Sequence, residues 1–310
     1  MRVLVLGSSS WLGKLVARQL AAGGHEVIGL DRRPWVDPPD GIETHCADIL
    51  KREAEDVFRT RKPQVVVHMA TVTWLAMRGE ERHRVNLGGT RAVFEYCERY
   101  GVEHMMFVGR HSYYGAATDS PMVHTEDEPP QGLATFPELA DLVAADLYAA
   151  TALWRMPKLT TTILRICYTL GPSGQGTLAA FLRARQVPLV LGFDPLFQFM
   201  HEDDAAGAIV TTLEKRIRGV YNVAGPQPLP LSIVVRETGR KAVELPEFVF
   251  SRVIGHFGFP QMPRGATTHI KYPVLIDGSA FSAATGFRFN WEDTAILRQF
   301  RELFPPPHTS

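Results

Sequence analysis

The sequence has few cysteines, no net charge and no long apolar run. Its three cysteines, Cys46, Cys97 and Cys167, lie far apart without metal-ligand spacing, which favours free thiols in a reduced compartment. Because 33 basic residues balance 33 acidic ones, no overall field attracts nucleic acid or an anionic membrane. No apolar stretch approaches a membrane span in length, and the apolar start is too short for a signal peptide. We therefore expect a cytoplasmic protein without nucleic-acid or membrane partners.

The sequence does have enough apolar residues, 45% of 310, to bury one large core and a smaller lobe. Short β-branched runs alternate with helically spaced apolar residues, which is typical of a doubly wound parallel α/β sheet. The predicted strands are 2–6, a second ending at Asp31, 42–45, 65–67, 105–108 and 161–166. The predicted helices begin at Trp11, include Val57 and Phe58, and cover 81–100, 138–154 and 178–185.

The stretch from Met1 to Asp31 predicts a dinucleotide site. It contains a buried strand, the turn GSSSWLG, a helix from Trp11 that ends at Gly23-Gly24, and a second strand. Gly7 and Gly13 allow a sharp turn and close packing of helix on strand, while the serines offer hydroxyl and N–H groups to a phosphate. The spacing to Asp31, about twenty residues, is that of the dinucleotide fingerprint. The alternative is a βαβ corner without a ligand.

Asp31 favours NAD over NADP, because a carboxylate accepts hydrogen bonds from a ribose 2′-OH and repels a 2′-phosphate. Arg32 and Arg33 follow it, and they could hold that phosphate, which keeps NADP as an alternative, or form a solvated pair. Asp48 has two interpretations, a place beside the adenine ring or a helix N-cap. We assign these residues to the cofactor site: Gly7, Ser9, Ser10, Trp11, Leu12, Gly13, Asp31, Arg32, Asp48, Ile49, Met69, Ala70 and Asn86.

The segment GRHSYYG, at the exit of the predicted strand 105–108, carries the most reactive side chains. Reactive groups sit at such strand ends in doubly wound sheets. The polar, proline-bearing loop 116–131 is a candidate lid. Further along, seven prolines break residues 226–273 into short pieces that suit a second lobe, with aromatic residues mostly in its core. The final FPPPHTS is predicted to be a frayed tail.

These segments resemble the extended short-chain dehydrogenase/reductase family, the NAD-dependent nucleotide-sugar epimerases and dehydratases. The likeness runs along nearly the whole chain. It rests on GSSSWLG, Asp31, Asp48-Ile49, VVVHMA, VNLGGTRAVFEYC, FVGRHSYYG, LRICYTLGP, FQFMHEDDAAGAI, GVYNVAGP and DGSAFSAATGF. It implies a Rossmann-type NAD-binding domain over 1–170, with core strands continuing to about 225. Residues 171–310 would form mainly a small C-terminal substrate lobe, interleaved with the last Rossmann elements.

The resemblance also shows departures at the positions where the family carries its chemistry. Glu138 stands at the position of the family's catalytic tyrosine, and Leu142 at that of its lysine. Arg110 replaces a serine or threonine, and Ser10 replaces the middle glycine of the turn. No other tyrosine near this helix has a lysine four residues later. Phe197 and Tyr168 occupy positions where relatives carry a diphosphate-binding arginine and an asparagine.

Two functions remain open from the sequence. The first is an atypical oxidoreductase, isomerase or lyase that binds NAD and acts on a sugar-nucleotide-like or less polar small molecule. Its catalytic candidates are Glu138 as a general base, with Arg110, His111, Ser112 and Tyr113 in support. Glu138 could instead form a structural ion pair with Arg110. The second function is a non-catalytic NAD-binding sensor or scaffold.

Two further features bear on partners. The resemblance makes a homodimer through the helices at 81–100 and 138–154 a possibility. The acidic cluster at residues 201–204, His-Glu-Asp-Asp, is the only metal-like feature, and it aligns with a family segment that opens a packed helix. We therefore expect no metal site.

Overall fold

We analysed a computed structural model, which describes residues 1–73, 77–260, 262–263 and 265–306. The last four residues of the predicted tail lie outside these ranges. The strands are β1 Arg2–Leu6, β2 Glu26–Asp31, β3 Ile42–Cys46, β4 Val65–His68, β5 His104–Arg110, β6 Val123–His124, β7 Thr160–Ile166, β8 Tyr168–Leu170, β9 Gln186–Val190, β10 Leu196–Phe197, β11 Phe199–His201, β12 Gly219–Val223, β13 Leu229–Pro230, β14 Lys241–Leu245 and β15 Leu275–Ile276.

The helices alternate with the strands in the first half of the chain, as predicted. They are α1 Trp11–Ala22, α2 Arg52–Arg61, α3 Gly79–His83, α4 Gly89–Arg99, α5 Gly132–Thr135, α6 Ala140–Arg155, α7 Thr177–Leu182, α8 Glu202–Lys215, α9 Leu231–Glu237, α10 Glu247–Val253, α11 Ala266–Lys271, α12 Ser279–Thr285 and α13 Asp293–Leu303. Single 3₁₀ turns at His111–Tyr113 and Pro137–Leu139 flank α5.

A seven-stranded parallel sheet organises the fold, with the order β12-β7-β5-β4-β1-β2-β3. Val3 and Val5 of β1 point into one apolar core and Leu4 and Leu6 into another, on the opposite face. Both faces are therefore buried, which explains why this strand has no polar alternation in its sequence. The sheet confirms the predicted doubly wound α/β class.

The helix predicted over 81–100 contains a local distortion. The segment runs from Gly79 to Arg99 as α3, a π-helical turn at Arg84–Gly88, and α4. Asn86 lies in that turn. Such turns occur mostly as isolated bulges and frequently at functional sites.

A third apolar core lies among the later elements, and it joins α7, α9 and α13 to β9 and β11. Phe250 and Phe281 are buried, as expected for this aromatic-rich part, but Phe248 and Phe257 are exposed. Two contacts attach the loop 116–131 to the rest of the fold. Its strand β6 pairs with β15, and its Glu126 accepts a hydrogen bond from the Asn222 backbone N–H of β12 (2.8 Å). These contacts hold the candidate lid against the sheet. No helix in the described ranges is long and apolar enough to cross a membrane.

Candidate functional site

The turn after β1 has the close contacts that its glycines imply. Gly7 has φ +86°, and a Cβ there would come within 2.9 Å of the Met69 backbone at the end of β4. At Gly13 a Cβ would lie 2.2 Å from the carbonyl oxygen of Gly7. Only glycine therefore lets α1 and β4 approach the turn so closely.

Ser10 fits the turn without backbone strain. Its φ of −71° and ψ of 159° are extended values that any residue adopts. The hydroxyl donates to the carbonyl oxygen of Gly7 (2.7 Å) and accepts from the Gly13 backbone N–H (3.0 Å), so Ser10 is the N-cap of α1. The side chain folds back into the turn. Trp11 and Leu12 follow it as the first, half-buried residues of the helix.

Asp31 ends β2 and fixes the glycine turn from the side. Its carboxylate accepts hydrogen bonds from the backbone N–H groups of Ser9 (3.1 Å) and Arg33 (2.9 Å). Ser9 in turn donates its hydroxyl to the carbonyl oxygen of Arg33 (2.8 Å). Asp31 is buried, whereas Arg32 and Arg33 are exposed. An ionised carboxylate has about four acceptor positions, so Asp31 retains capacity for a ribose hydroxyl.

The remaining cofactor candidates fall into two groups. Met69 and Ala70 follow β4 directly, and the Met69 backbone N–H bonds to the carbonyl oxygen of Leu6 (3.0 Å), which places them beside the turn. Asp48 is not a helix N-cap, because α2 begins after Lys51. Its carboxylate accepts instead from the Leu50 backbone N–H (3.0 Å), in a turn that precedes the helix.

The last two cofactor candidates, Ile49 and Asn86, lie at or near the π-helical turn. The Ile49 side chain packs on α4 where Gly89 leaves space, since a Cβ there would lie 2.3 Å from it. Asn86 is fully buried, and its amide exchanges two hydrogen bonds with the backbone of Val72 (2.6 and 2.9 Å). This contact fixes the start of the loop after β4, at the carboxyl edge of the sheet.

Three of the predicted catalytic residues line one small cavity at the exit of β5. Arg110, Ser112 and Tyr113 meet Leu142 of α6 and Thr71 there. The cavity lies at the carboxyl end of the sheet, where ligands bind in open α/β folds. Residues of the GRHSYYG segment and of α6 therefore meet at this cavity.

Arg110 has no carboxylate partner within the part of the chain that the structure describes. It is half-buried, and the ion pair with Glu138 that we considered is absent. Burial lowers the pKa of Arg110, an effect that the nearby Tyr168 partly offsets. Because an arginine stays protonated in proteins, the cleft holds an uncompensated positive charge.

His111 is less suited to proton donation than its position suggests. The ring is buried, and its Nδ1 lies 3.2 Å from the carbonyl oxygen of Ile166. A carbonyl oxygen only accepts, so Nδ1 carries the proton and Nε2 is left as a buried acceptor without a partner. Burial lowers the pKa of His111 to about 3, so the ring is neutral near pH 7.

Tyr113 packs on a buried ion pair that sequence reasoning missed. Arg165 of β7 and Asp146 of α6 form this pair (2.9 Å), and each side chain is 3% exposed. The Arg165 guanidinium lies 3.4 Å from the centroid of the Tyr113 ring and donates to the Tyr114 hydroxyl (2.9 Å). Burial raises the pKa of Tyr113. The sequence did contain a signal for this ion pair, because Arg165 and Asp146 are charged residues within two otherwise mostly apolar segments.

Glu138 stands in the 3₁₀ turn before α6, one turn ahead of Leu142. Leu142 lines the cavity, whereas Glu138 belongs to the 3₁₀ turn and is not among the residues that line it. Glu138 is half-buried and makes no side-chain hydrogen bond or ion pair with the described residues. Its backbone carbonyl oxygen accepts a hydrogen bond from Arg82.

A second buried polar cluster, also missed from the sequence, holds this turn. Arg82 of α3 pairs with Asp141 (2.6 Å), and both are 5% exposed. The amide of Asn86 donates to the same carboxylate. Because Arg82 also donates to the carbonyl oxygen of Glu138, the cluster fixes the backbone of Glu138.

The acidic segment at the start of α8 is structural. His201 is the N-cap of that helix and accepts from the Asp203 backbone N–H (3.1 Å), while Asp204 accepts from the backbone N–H groups of Asn290 and Trp291. In the part of the chain that the structure describes, no group of three or more metal-ligating side chains could hold an ion.

Comparison with known proteins agrees with the fold and the cofactor turn. Residues 3–224 match the model of the NAD dependent epimerase/dehydratase family. An uncharacterized protein of Mycobacterium tuberculosis is 26% identical over 308 residues, which cover 93% of this chain and 80% of the relative. A 3-diazoavenalumate denitrifying reductase of Streptomyces is 30% identical over 241 residues, 74% of this chain and 78% of the relative.

Among solved structures, the UDP-glucose 4-epimerase of Thermus thermophilus in complex with NAD superposes with a TM-score of 0.75. The match covers 98% of this chain and 99% of that one at 21% identity. At this identity the likeness concerns the fold. Together with the family match, it confirms the resemblance inferred from the motifs.

Proposed function

This chain belongs to the NAD-dependent epimerase/dehydratase family, and on that premise we propose that it is an NAD-binding oxidoreductase with a rearranged proton-transfer site. The observation that carries the proposal is a glycine turn that fits a dinucleotide, together with Glu138 and Leu142 at the positions where the resemblance places the family's tyrosine and lysine. The turn supports cofactor binding. The two replacements argue against the usual tyrosine chemistry.

The residues around the turn fit a dinucleotide. Gly7 and Gly13 bring strand and helix together, and the first N–H groups of α1 are available to a pyrophosphate. Asp31, held by Ser9, fits the hydroxyls of an unphosphorylated ribose, which favours NAD over NADP. The nicotinamide ring, when bound, supplies hydride transfer. NAD is bound by the Thermus relative, which supports the same ligand here.

Proton transfer then belongs to Glu138. A leucine at position 142 cannot hydrogen-bond a ribose or lower the pKa of a neighbouring phenol, so a tyrosinate base has no support in this cleft. The Glu138 carboxylate has no hydrogen-bond or ion-pair partner among the described residues, and Arg82, which is itself paired with Asp141, donates to the Glu138 backbone carbonyl oxygen. A positioned carboxylate can take or give a proton at a substrate oxygen or nitrogen.

The direction of the reaction that we favour is reduction of a small molecule. The Streptomyces relative is a reductase by name and shares 30% of the aligned residues. Other relatives are named sugar-nucleotide epimerases, including a probable UDP-glucuronate 4-epimerase of Rhizobium meliloti at 26% identity. Here the resemblance places Phe197 where several nucleotide-sugar enzymes carry a diphosphate-binding arginine, and Tyr168 where they carry an asparagine, which makes a nucleotide sugar the weaker candidate.

Calorimetry and an absorbance assay test the proposal. We expect NAD to bind, and NADH absorbance to fall when a panel of carbonyl and diazo compounds is added. Glu138→Gln should abolish turnover and leave NAD affinity unchanged, while Glu302→Gln, an exposed site on α13, should change neither.

NAD binding without any turnover across the panel would favour the sensor or scaffold function instead. Full activity of Glu138→Gln would exclude that residue as the proton-transfer group. Failure of both pyridine nucleotides to bind would refute the whole proposal.

A further inference from the structure

Arg110 differs from Arg82 and Arg165, near the same cleft, because no carboxylate among the described residues pairs with it. Arg82 and Arg165 each hold a buried carboxylate, at 2.6 and 2.9 Å. Arg110 lines the cavity with Ser112 and Leu142 but forms no ion pair or side-chain hydrogen bond with the described residues. A half-buried guanidinium of this kind has lost part of its hydration without gaining a counter-charge.

An aromatic wall adjoins this cation. Tyr168 of β8 lies near Arg110 and stacks on Phe197, with ring centroids 5.5 Å apart and planes 12° from parallel. His111 meets Tyr168 edge-on at 4.3 Å. Burial raises the pKa of Tyr168 to about 12, which keeps the phenol neutral. The aromatic side chains near Arg110 are therefore uncharged, and Tyr168 is the half-buried member of the group.

We infer that this site binds a substrate with a carboxylate group, which Arg110 holds, and with a planar unsaturated body that packs beside Tyr168. The inference rests on the proposed function and names its substrate class. The guanidinium fork matches a carboxylate in a bidentate arrangement, and such charge-assisted pairs are about twice as strong as neutral hydrogen bonds. A single cation suits one carboxylate better than a diphosphate, and Phe197 stands where the resemblance places the diphosphate-binding arginine of several nucleotide-sugar enzymes.

The placement of Arg110 also suits the reaction. The residue ends β5 on the same cavity as Leu142, one helical turn from Glu138. A carboxylate anchored on Arg110 would bring the rest of the molecule to the carboxyl end of the sheet, where the reacting groups converge. Arg110 is in this respect a substrate-binding residue and not the proton donor.

The test compares trans-cinnamate with cinnamamide, its neutral counterpart of the same shape, by calorimetry on protein saturated with NAD. We expect cinnamate to bind the wild-type protein at least about tenfold more tightly than the amide. Arg110→Met should remove this preference, and Arg110→Lys should keep part of it. Arg298→Met, at an exposed site on α13, is the matched control and should retain the full preference.

Equal binding of cinnamate and cinnamamide to the wild-type protein would overturn the inference, and so would a cinnamate affinity in Arg110→Met equal to that of the wild type. Absence of cinnamate binding up to about 10 mM would also overturn it. The wild-type comparison does not depend on whether a variant folds. NAD binding, measured in the same samples, separates a failure of this inference from a failure of the proposed function.

Discussion

Acid should destabilise this protein well before its carboxylates are protonated, because four histidines are buried in the neutral form. Burial lowers the pKa of His68 and His111 to about 3, and that of His104 and His269 to about 4, from 6.5. In the unfolded chain each ring is exposed and takes up a proton near pH 6.5. The unfolded state thus binds more protons at mildly acidic pH, and stability falls as the pH drops.

The size of the effect follows from the lowered pKa values. When the pH falls from about 7.5 to 5.5, each of the four histidines should lower the free energy of unfolding by about 1.4 kcal/mol. This is the free energy that corresponds to one pH unit below the unfolded pKa. Together they cost roughly 5–6 kcal/mol, which is comparable with the whole stability of many domains, about 5–15 kcal/mol. The loss continues until the pH reaches the folded pKa values.

Urea unfolding followed by circular dichroism at the two pH values measures this loss. His68→Leu removes one of the four groups, a ring with no exposed surface, and should reduce the loss by about 1.4 kcal/mol. His256→Leu is the control, since an exposed ring keeps its water on folding. Equal stability of the wild-type protein at both pH values, or an undiminished loss in His68→Leu, would refute the reasoning.

Three further predictions follow from the same structure. Asp31→Ala should weaken NAD binding at least about tenfold in calorimetry and reduce the preference over NADP, because the ribose acceptor is lost; an unchanged ratio of the two affinities would contradict the assignment. Asp146→Leu should lower the free energy of unfolding in urea by about 3–5 kcal/mol, because the buried Arg165 loses its counter-charge. The double variant with Arg165→Met should recover much of this free energy. Gly7→Ala should lower the melting temperature more than Gly24→Ala, because both have positive φ but only Gly7 has backbone within 3 Å of the added Cβ; equal shifts would remove the packing argument.

Much of the fold could be predicted from local sequence patterns. The apolar run of β1, the glycine turn and the helix after it have signals that depend on neighbours a few residues apart, and their bounds agree with the structure to within a residue or two. The placement of Glu138 and Leu142 at the positions of the family's tyrosine and lysine stays a prediction from the resemblance, which needs only a residue type and a motif. The start of the long helix was placed two residues late, because no capping signal marks Gly79.

The contacts that define the site could not be predicted in this way. Arg82 and Asp141 are 59 positions apart, and Arg165 meets Asp146 only because β7 lies beside β5 and under α6. Whether Arg110 finds a partner depends on the same arrangement, and the ion pair with Glu138 that the sequence allowed is not formed. Burial likewise turned His111 from a catalytic candidate into a neutral ring bonded to a carbonyl.

The sequence by itself determined the strand and helix pattern and the dinucleotide turn. Tertiary structure alone decided which charges are neutralised and which are left over. The physical reason is that propensity and periodicity act over a few residues, whereas a charge in a low-dielectric interior is governed by whatever the strand order brings within about 4 Å of it.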